Sequence, residues 1–147
     1  MNRRAKLVLA LVGLVVALIA GLSAIIETDG EAIERVTNAC RLGMLDGDVE
    51  AILDHVTDDA VYVRQKRTRS LATEVRERVE RLRKRVGNIT LSLRSIEVDG
   101  DDAHATWQVF VRMRPGEEFP MGRFDVRVGY RREPSDWKVT RVELSTP

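Results

Sequence analysis

The spacing of apolar residues changes at residue 89, and this change constrains the fold more than any other feature of the sequence. Before it, apolar side chains recur every three or four positions, which predicts amphipathic helices. The first spans 30–45, a second and shorter helix begins after an N-cap at Asp48, and the third spans 70–88. Residues 60–63 are β-favouring and separate the second helix from the third. The first part of the domain is therefore expected to be mainly helical.

After the change, apolar and polar residues alternate, which is the pattern of strands with one buried face. Four strands are predicted, over 89–98, 104–113, 124–131 and 137–144. The alternation slips between Leu93 and Ile96 and between Val139 and Val142, which predicts bulges that curve the sheet. We therefore predict an α+β domain in which three helices pack on the concave side of one antiparallel sheet and enclose a cone with a pocket at its wide end.

Residues 7–26 form an apolar run that only two glycines and one serine interrupt. A helix of this length is about 30 Å long, which matches the hydrocarbon thickness of a bilayer. The sequence therefore predicts one uncleaved transmembrane helix within residues 1–26 and a water-facing domain over 27–147. A cleavable signal peptide is the alternative, although its apolar region normally spans only about 7–15 residues.

Charges on either side of the apolar run predict its orientation. The basic residues Arg3, Arg4 and Lys6 precede it, and the acidic residues Glu27, Asp29 and Glu31 follow it. Because basic flanks stay in the cytoplasm, we expect a single-pass protein of the cell membrane with an extracytoplasmic domain, or a secreted domain if the segment is cleaved. The excess of arginine over lysine, 20 to 4, is typical of a bacterial protein from a GC-rich genome.

Composition excludes several classes of function. The 24 basic and 23 acidic residues give a net charge of +1, which provides no long-range attraction to nucleic acid. One cysteine and two histidines cannot form a thiolate zinc site or a three-histidine site. The sequence therefore predicts no metal, no cofactor and no nucleic-acid partner.

One stretch carries a resemblance to a known family. Gly47-Asp48-Val49-Glu50-Ala51-Ile52-Leu53 is followed by Thr57-Asp58-Asp59-Ala60-Val61. These residues resemble the helix-turn-strand motif of the nuclear transport factor 2-like superfamily, which also holds ketosteroid isomerases and polyketide cyclases of the SnoaL type. The resemblance covers residues 29–147 and implies the nuclear transport factor 2-like (cystatin-like) cone, because its motifs serve turns, caps and packing.

The resemblance also allows the catalytic positions of ketosteroid isomerases to be compared. It places their oxyanion-hole tyrosine at Cys40, which is a weak donor, and their general-base aspartate at Arg64, which is a permanent cation. The nearest carboxylic acid for the oxyanion hole is Asp125, whose position in the alternation opposes that of Phe124 and Val126. No catalytic residue is therefore predicted.

The predicted pocket lining is apolar. It consists of Cys40, Tyr62, Trp107, Val109, Val111, Phe124, Val126 and Tyr130. Because acid–base catalysis needs a positioned ionisable group, this lining favours a non-catalytic binding or assembly module for a small apolar ligand. The alternative is an isomerase, cyclase or dehydratase that acts on an apolar substrate through Tyr62, His55 or Asp125.

The near-zero net charge conceals a strong asymmetry. Residues 27–62 carry a net charge of −8 and residues 64–94 a net charge of +8. The basic residues Arg64, Lys66, Arg67 and Arg69 are expected beside the pocket mouth, where they could contact an anion or lipid headgroups. Internal ion pairing on a solvated face is the other interpretation.

The outward face of the sheet is predicted to be polar, with Phe110 as its only large apolar residue. A homodimer through this face would therefore be weak. An accessory role beside another envelope protein is a third hypothesis for the domain.

Overall fold

The structure, a computed structural model, describes residues 3–25, 27–117, 121–134 and 136–145, without the side chains of 20–25. The helices are α1 (Arg3–Ile25), α2 (Asp29–Asp46), α3 (Val49–Leu53) and α4 (Leu71–Arg85). The strands are β1 (Val56–Arg64), β2 (Arg67–Ser70), β3 (Val86–Asp99), β4 (Asp102–Met113), β5 (Met121–Glu133) and β6 (Asp136–Ser145). The predicted connections at 114–120 and 133–136 include 118–120 and 135, which lie outside the described residues.

The six strands form one sheet in the order β2-β1-β6-β5-β4-β3. Strands β3 to β6 make the predicted antiparallel meander, whereas β1 runs parallel to β6. The register shifts between Leu93 and Ser95, and Thr140 is skipped where Gly129 pairs with Arg141 and Tyr130 with Val139. Both predicted bulges are therefore confirmed, and they curve the sheet.

Side-chain caps set the ends of the helices on the concave side. Thr28 and Glu31 form a reciprocal capping box at the start of α2, which satisfies two backbone N–H groups that have no helical partner. Gly47 ends α2 in the left-handed region, with φ +69°. The predicted cap at Asp48 is confirmed, because its carboxylate accepts a hydrogen bond from the Ala51 N–H.

Two details of the predicted elements are wrong. The third helix ends at Arg85 and not at residue 88, because Val86 leaves the helix and pairs with Met113 as the first residue of β3. Strand β2 was not predicted, because its four residues are all exposed and show no apolar alternation. It pairs with β1 through a tight turn in which Gln65 and Lys66 adopt positive φ.

The core lies between α2, α3, α4 and the concave face of the sheet. Ile33 and Val36 of α2 are fully buried, as is Ala105 of β4, and Trp107 is 5% exposed. Burying a side chain such as Val36 contributes about 1.5–3 kcal/mol of hydrophobic free energy. These contacts fix the helices across the sheet and leave a cavity toward one end.

Helix α1 forms where the sequence predicts an apolar helix, and its large apolar side chains from Leu7 to Ile19 are 46–66% exposed. Within the described residues, no helix combines the length and apolar character that crossing a membrane requires. The predicted transmembrane helix therefore has no support from the structure, and its last residue, Ile26, lies outside the described residues.

Gly47→Ala should lower the free energy of unfolding by about 1–2 kcal/mol, because an L side chain is strained in the left-handed region. A Cβ at Gly47 would also lie 2.4 Å from Cδ of Arg83, which must then move. Urea unfolding followed by tryptophan fluorescence measures the change. Gly30→Ala is the control: nothing lies within 4 Å of its Cβ, and the helix should gain up to about 1 kcal/mol. Equal effects of the two substitutions would contradict the prediction.

Candidate functional site

A cavity of about 480 Å³ lies between the three helices and the concave face of the sheet. Of the 24 described residues that line it, nineteen are apolar. They are Cys40, Met44, Ile52, Val56, Tyr62, Leu71, Val75, Val79, Leu82, Ile89, Leu91, Trp107, Val109, Phe124, Val126, Val128, Val139, Val142 and Leu144. The remaining five are Thr37, Arg41, Arg64, Glu74 and Arg78.

Exposure distinguishes the two ends of the cavity. Ile52, Val56 and Val139 are buried and form its closed end. Arg64 is exposed and Phe124 is 39% exposed, so these residues lie at the opening. The cavity is therefore an apolar cone that is closed at one end and open at the other, and its mouth carries at least one cation.

A chain of hydrogen bonds runs behind the cavity wall. The Thr37 hydroxyl donates to the Ile33 carbonyl at 2.7 Å and lies 2.7 Å from the Tyr130 phenol, which accepts a hydrogen bond from Trp107 Nε1 at 3.0 Å. Since the Thr37 proton is already engaged, the phenol donates to Thr37. Burial raises the pKa of Tyr130 to about 12, and its single proton is used inside the core.

The Cys40 thiol occupies the cavity wall at the position that the family resemblance assigns to a catalytic tyrosine. Burial raises the pKa of Cys40 to about 12, because the thiolate would lose its hydration. The thiol is therefore neutral at physiological pH and behaves as a small apolar side chain.

One carboxylate is buried in the cavity wall. Glu74 of α4 is 3% exposed, and its Oε1 accepts a hydrogen bond from Arg69 Nη1 at 2.5 Å. Its Oε2 has no aligned hydrogen bond but lies 2.6 Å from Arg78 Nε, an ion pair within α4. Arg69 also contacts Glu77 at 3.2 Å, and the Arg78 guanidinium lies over the Tyr62 ring at 5.6 Å.

Two further arginines line the cavity. Arg41 of α2 is held by Asn38 at 2.8 Å and by the Ile89 carbonyl at 3.1 Å. Arg64 faces the concave side, because it is paired in register with Leu144, and it has no hydrogen-bond or ion-pair partner in the described part of the chain.

The expectation of a concave face almost without ionisable groups is therefore wrong at the mouth. The alternation of the central strands indicated only the sheet part of the lining. Arg41, Glu74 and Arg78 come from helices, and Arg64 comes from β1 near the edge of the sheet. Glu74 and Arg78 form an i,i+4 ion pair beside the apolar stripe of α4, and the helical period alone does not show that Glu74 is buried.

The structure brings most of the predicted lining residues together. Cys40, Tyr62, Trp107, Val109, Phe124 and Val126 line the cavity. Val111 and Tyr130 are not among the lining residues, and Tyr130 is instead a core residue with 1% exposure.

The predicted basic residues of the mouth separate into three environments. Arg64 lines the cavity, and Arg69 forms ion pairs with Glu74 and Glu77. Lys66 and Arg67 are exposed in the β1–β2 hairpin.

Two of the three residues named for a catalytic alternative lie away from the cavity. His55 lies in the turn after α3, where its backbone carbonyl accepts a hydrogen bond from the Val139 N–H. Asp125 is exposed on the outward face, opposite Gln108 of β4. Among the described residues, no cluster of histidine, cysteine, aspartate and glutamate has the arrangement of a metal site.

A model of the SnoaL-like domain family matches residues 36–142, which is well over half of the chain. The chain belongs to the SnoaL-like domain family. No curated protein matches it in sequence.

Solved structures share the fold at low sequence identity. A nuclear transport factor 2-like protein from Cytophaga hutchinsonii superimposes with a TM-score of 0.70 at 14% identity, covering 82% of this chain and 100% of that one. A protein of unknown function from Mycobacterium tuberculosis gives a TM-score of 0.69 at 18% identity, covering 79% and 74%. A proposed ketosteroid isomerase from Shewanella frigidimarina gives a TM-score of 0.63 at 14% identity, covering 78% of this chain and 94% of that one. At these identities the likeness shows the fold alone.

Tyr130→Phe in this SnoaL-like domain should lower the free energy of unfolding by about 1–3 kcal/mol, because it leaves the buried Trp107 N–H without an acceptor. Urea unfolding measures the change. Tyr62→Phe is the control, because the Tyr62 hydroxyl has no hydrogen bond within the described residues and its loss should cost less than about 0.5 kcal/mol. If Tyr62→Phe lowered the free energy of unfolding by more than Tyr130→Phe does, this interpretation would be contradicted.

The raised pKa of Cys40 predicts slow alkylation by iodoacetamide near neutral pH, with a rate that increases as pH approaches about 12. The urea-unfolded chain is the control and should react according to the ordinary pKa of 9.0. Because the unfolded chain releases the thiol proton first, the stability that Cys40 contributes is present below pH 9.0 and is lost as pH rises toward 12. Equal rates for folded and unfolded chains would contradict this.

Proposed function

We propose that this SnoaL-like domain binds a small, mainly apolar molecule in its cone and does not catalyse a reaction on it. The observation that carries the proposal is the cavity of about 480 Å³ lined almost entirely by apolar side chains. Protein interiors are close-packed, so a void of this size is a feature of binding sites rather than of cores. Ligand pockets typically measure about 300–1,000 Å³ and are mostly apolar with a few polar groups.

The states of Glu74, Tyr130 and Cys40 support binding without catalysis. Both carboxylate oxygens of Glu74 contact arginines, and its Oε2 is fully covered. The Tyr130 proton is held by Thr37, and the Cys40 thiol is neutral because burial raises its pKa to about 12. A general acid or base must reach the substrate with a free proton-donating or proton-accepting atom. The oxygens of Glu74 and the proton of Tyr130 are already engaged, and the neutral Cys40 thiol is a weak acid.

An isomerase, cyclase or dehydratase is the second candidate, and Glu74 favours it as the one carboxylate among the described lining residues. One of the structures that share the fold is a proposed ketosteroid isomerase. Isomerisation of a β,γ-unsaturated ketone, measured by the absorbance of the conjugated product and abolished by Glu74→Gln, would establish this candidate over simple binding.

Quenching of Trp107 tests the binding proposal, because Trp107 lines the cavity and the only other tryptophan, Trp137, does not. The full-length chain is held in phosphatidylcholine nanodiscs and titrated with ω-bromooctanol, with empty nanodiscs as the blank. Saturable quenching is expected. Val109→Phe, which fills the cavity, should weaken it at least about tenfold, a difference of about 1.4 kcal/mol.

Val98→Phe is the matched control, because Val98 is 43% exposed and lies outside the lining. It should leave the quenching unchanged. Equal quenching of wild type and Val109→Phe would mean that the alcohol binds elsewhere, and would contradict the proposal.

The same proposal includes a membrane location. The apolar run 7–26 and the basic residues before it support a single-pass segment that holds the domain outside the cytoplasm. Protease added to intact spheroplasts should then degrade the domain. A domain that survives until the cells are lysed would overturn the orientation.

A further inference from the structure

We infer that the molecule bound in the cone carries an anionic group, such as a carboxylate, which Arg64 and Arg78 hold at the mouth while the apolar part lies inside. The inference rests on the proposed binding function and specifies the chemical class of its ligand. The ligand is thus an amphiphile with an acidic end.

Arg64 is the first component of this anion site. It lies on the concave side of β1 at the opening of the cavity, and no hydrogen bond or ion pair engages its guanidinium in the described part of the chain. An arginine that lines a cavity without a partner is available to a ligand. Its planar guanidinium matches a carboxylate with two parallel hydrogen bonds.

Arg78 is the second component. Its Nε faces Glu74 Oε2 at 2.6 Å, and its guanidinium lies over the Tyr62 ring. These two contacts restrain the side chain, and within the described residues its two terminal nitrogens have no hydrogen-bond partner. A restrained guanidinium loses less side-chain entropy when it binds an anion.

The charges of the group leave it positive. Arg69 and Arg78 form ion pairs with Glu74 and Glu77, and the guanidinium of Arg64 is then the one positive charge in excess. Arg64 is exposed, so salt in the solvent screens this excess, and its attraction for an anion should weaken as ionic strength rises. An anion at the mouth is therefore favoured. A cation would be repelled by the excess guanidinium, because both carboxylates of the group are already paired with arginines.

A pair of probes tests the inference: ω-bromooctanoate carries the acid, and ω-bromooctanol has the same chain without it. Trp107 quenching of the full-length chain in phosphatidylcholine nanodiscs should give an affinity for the acid about tenfold or more above that for the alcohol. Arg64→Gln should reduce the affinity for the acid about tenfold and leave the affinity for the alcohol unchanged. Arg64→Lys should give an intermediate affinity, because it keeps the charge and loses the paired hydrogen bonds.

Arg76→Gln is the matched control, since it removes the same charge from an exposed position of α4 outside the lining. It should leave both affinities unchanged. An equal loss in Arg76→Gln and Arg64→Gln would overturn the inference, because the effect would then come from general charge. Competition by phosphatidylglycerol in the nanodisc would also overturn it, by assigning the anion to a lipid headgroup.

The two proposals fail in different ways. Quenching by the alcohol without any preference for the acid would overturn the anion site and leave the apolar binding function in place. Absence of quenching by both probes would overturn the binding function itself.

Discussion

The curvature of the sheet is the constraint on which the cavity depends. Two bulges, one after Leu93 and one at Thr140, bend the meander so that α2 and α4 cover one end of its concave face closely and the other end only in part. Where the cover is close, Ile33 and Val36 are fully buried; where it is not, an apolar hollow remains.

The sequence predicted the part of the site that is built by alternating strands. Trp107, Val109 and Val126 face the cavity because neighbouring side chains on a strand point to opposite faces. The bulges could be predicted from the positions where the alternation of apolar and polar residues slips. The charged part could not be predicted in this way. A helical period does not say which residues beside the apolar stripe are covered, and the β2 hairpin that brings Arg69 to Glu74 has no apolar pattern of its own.

The polar groups around the cone divide into those that are fully engaged and those that are not. Tyr130 and Thr37 satisfy each other and the Trp107 N–H inside the core, where an unpaired group would be costly. Arg64 at the mouth has no such engagement in the described residues, and it occupies a position where the family resemblance implies a catalytic aspartate. A guanidinium has no acceptor atom, so Arg64 cannot take up a proton as a carboxylate at this position would.

The parallel pairing of β1 with β6 bears on the order in which the cavity wall forms during folding. Strand β1 is made early in synthesis, but its inner neighbour in the sheet is the last strand of the domain. Contacts between segments so distant in sequence form late, because the intervening chain must first be ordered. We therefore expect the β1–β2 hairpin, which carries Arg64, to join the sheet only after β6 (Asp136–Ser145) is ordered, so that this side of the cavity wall forms last.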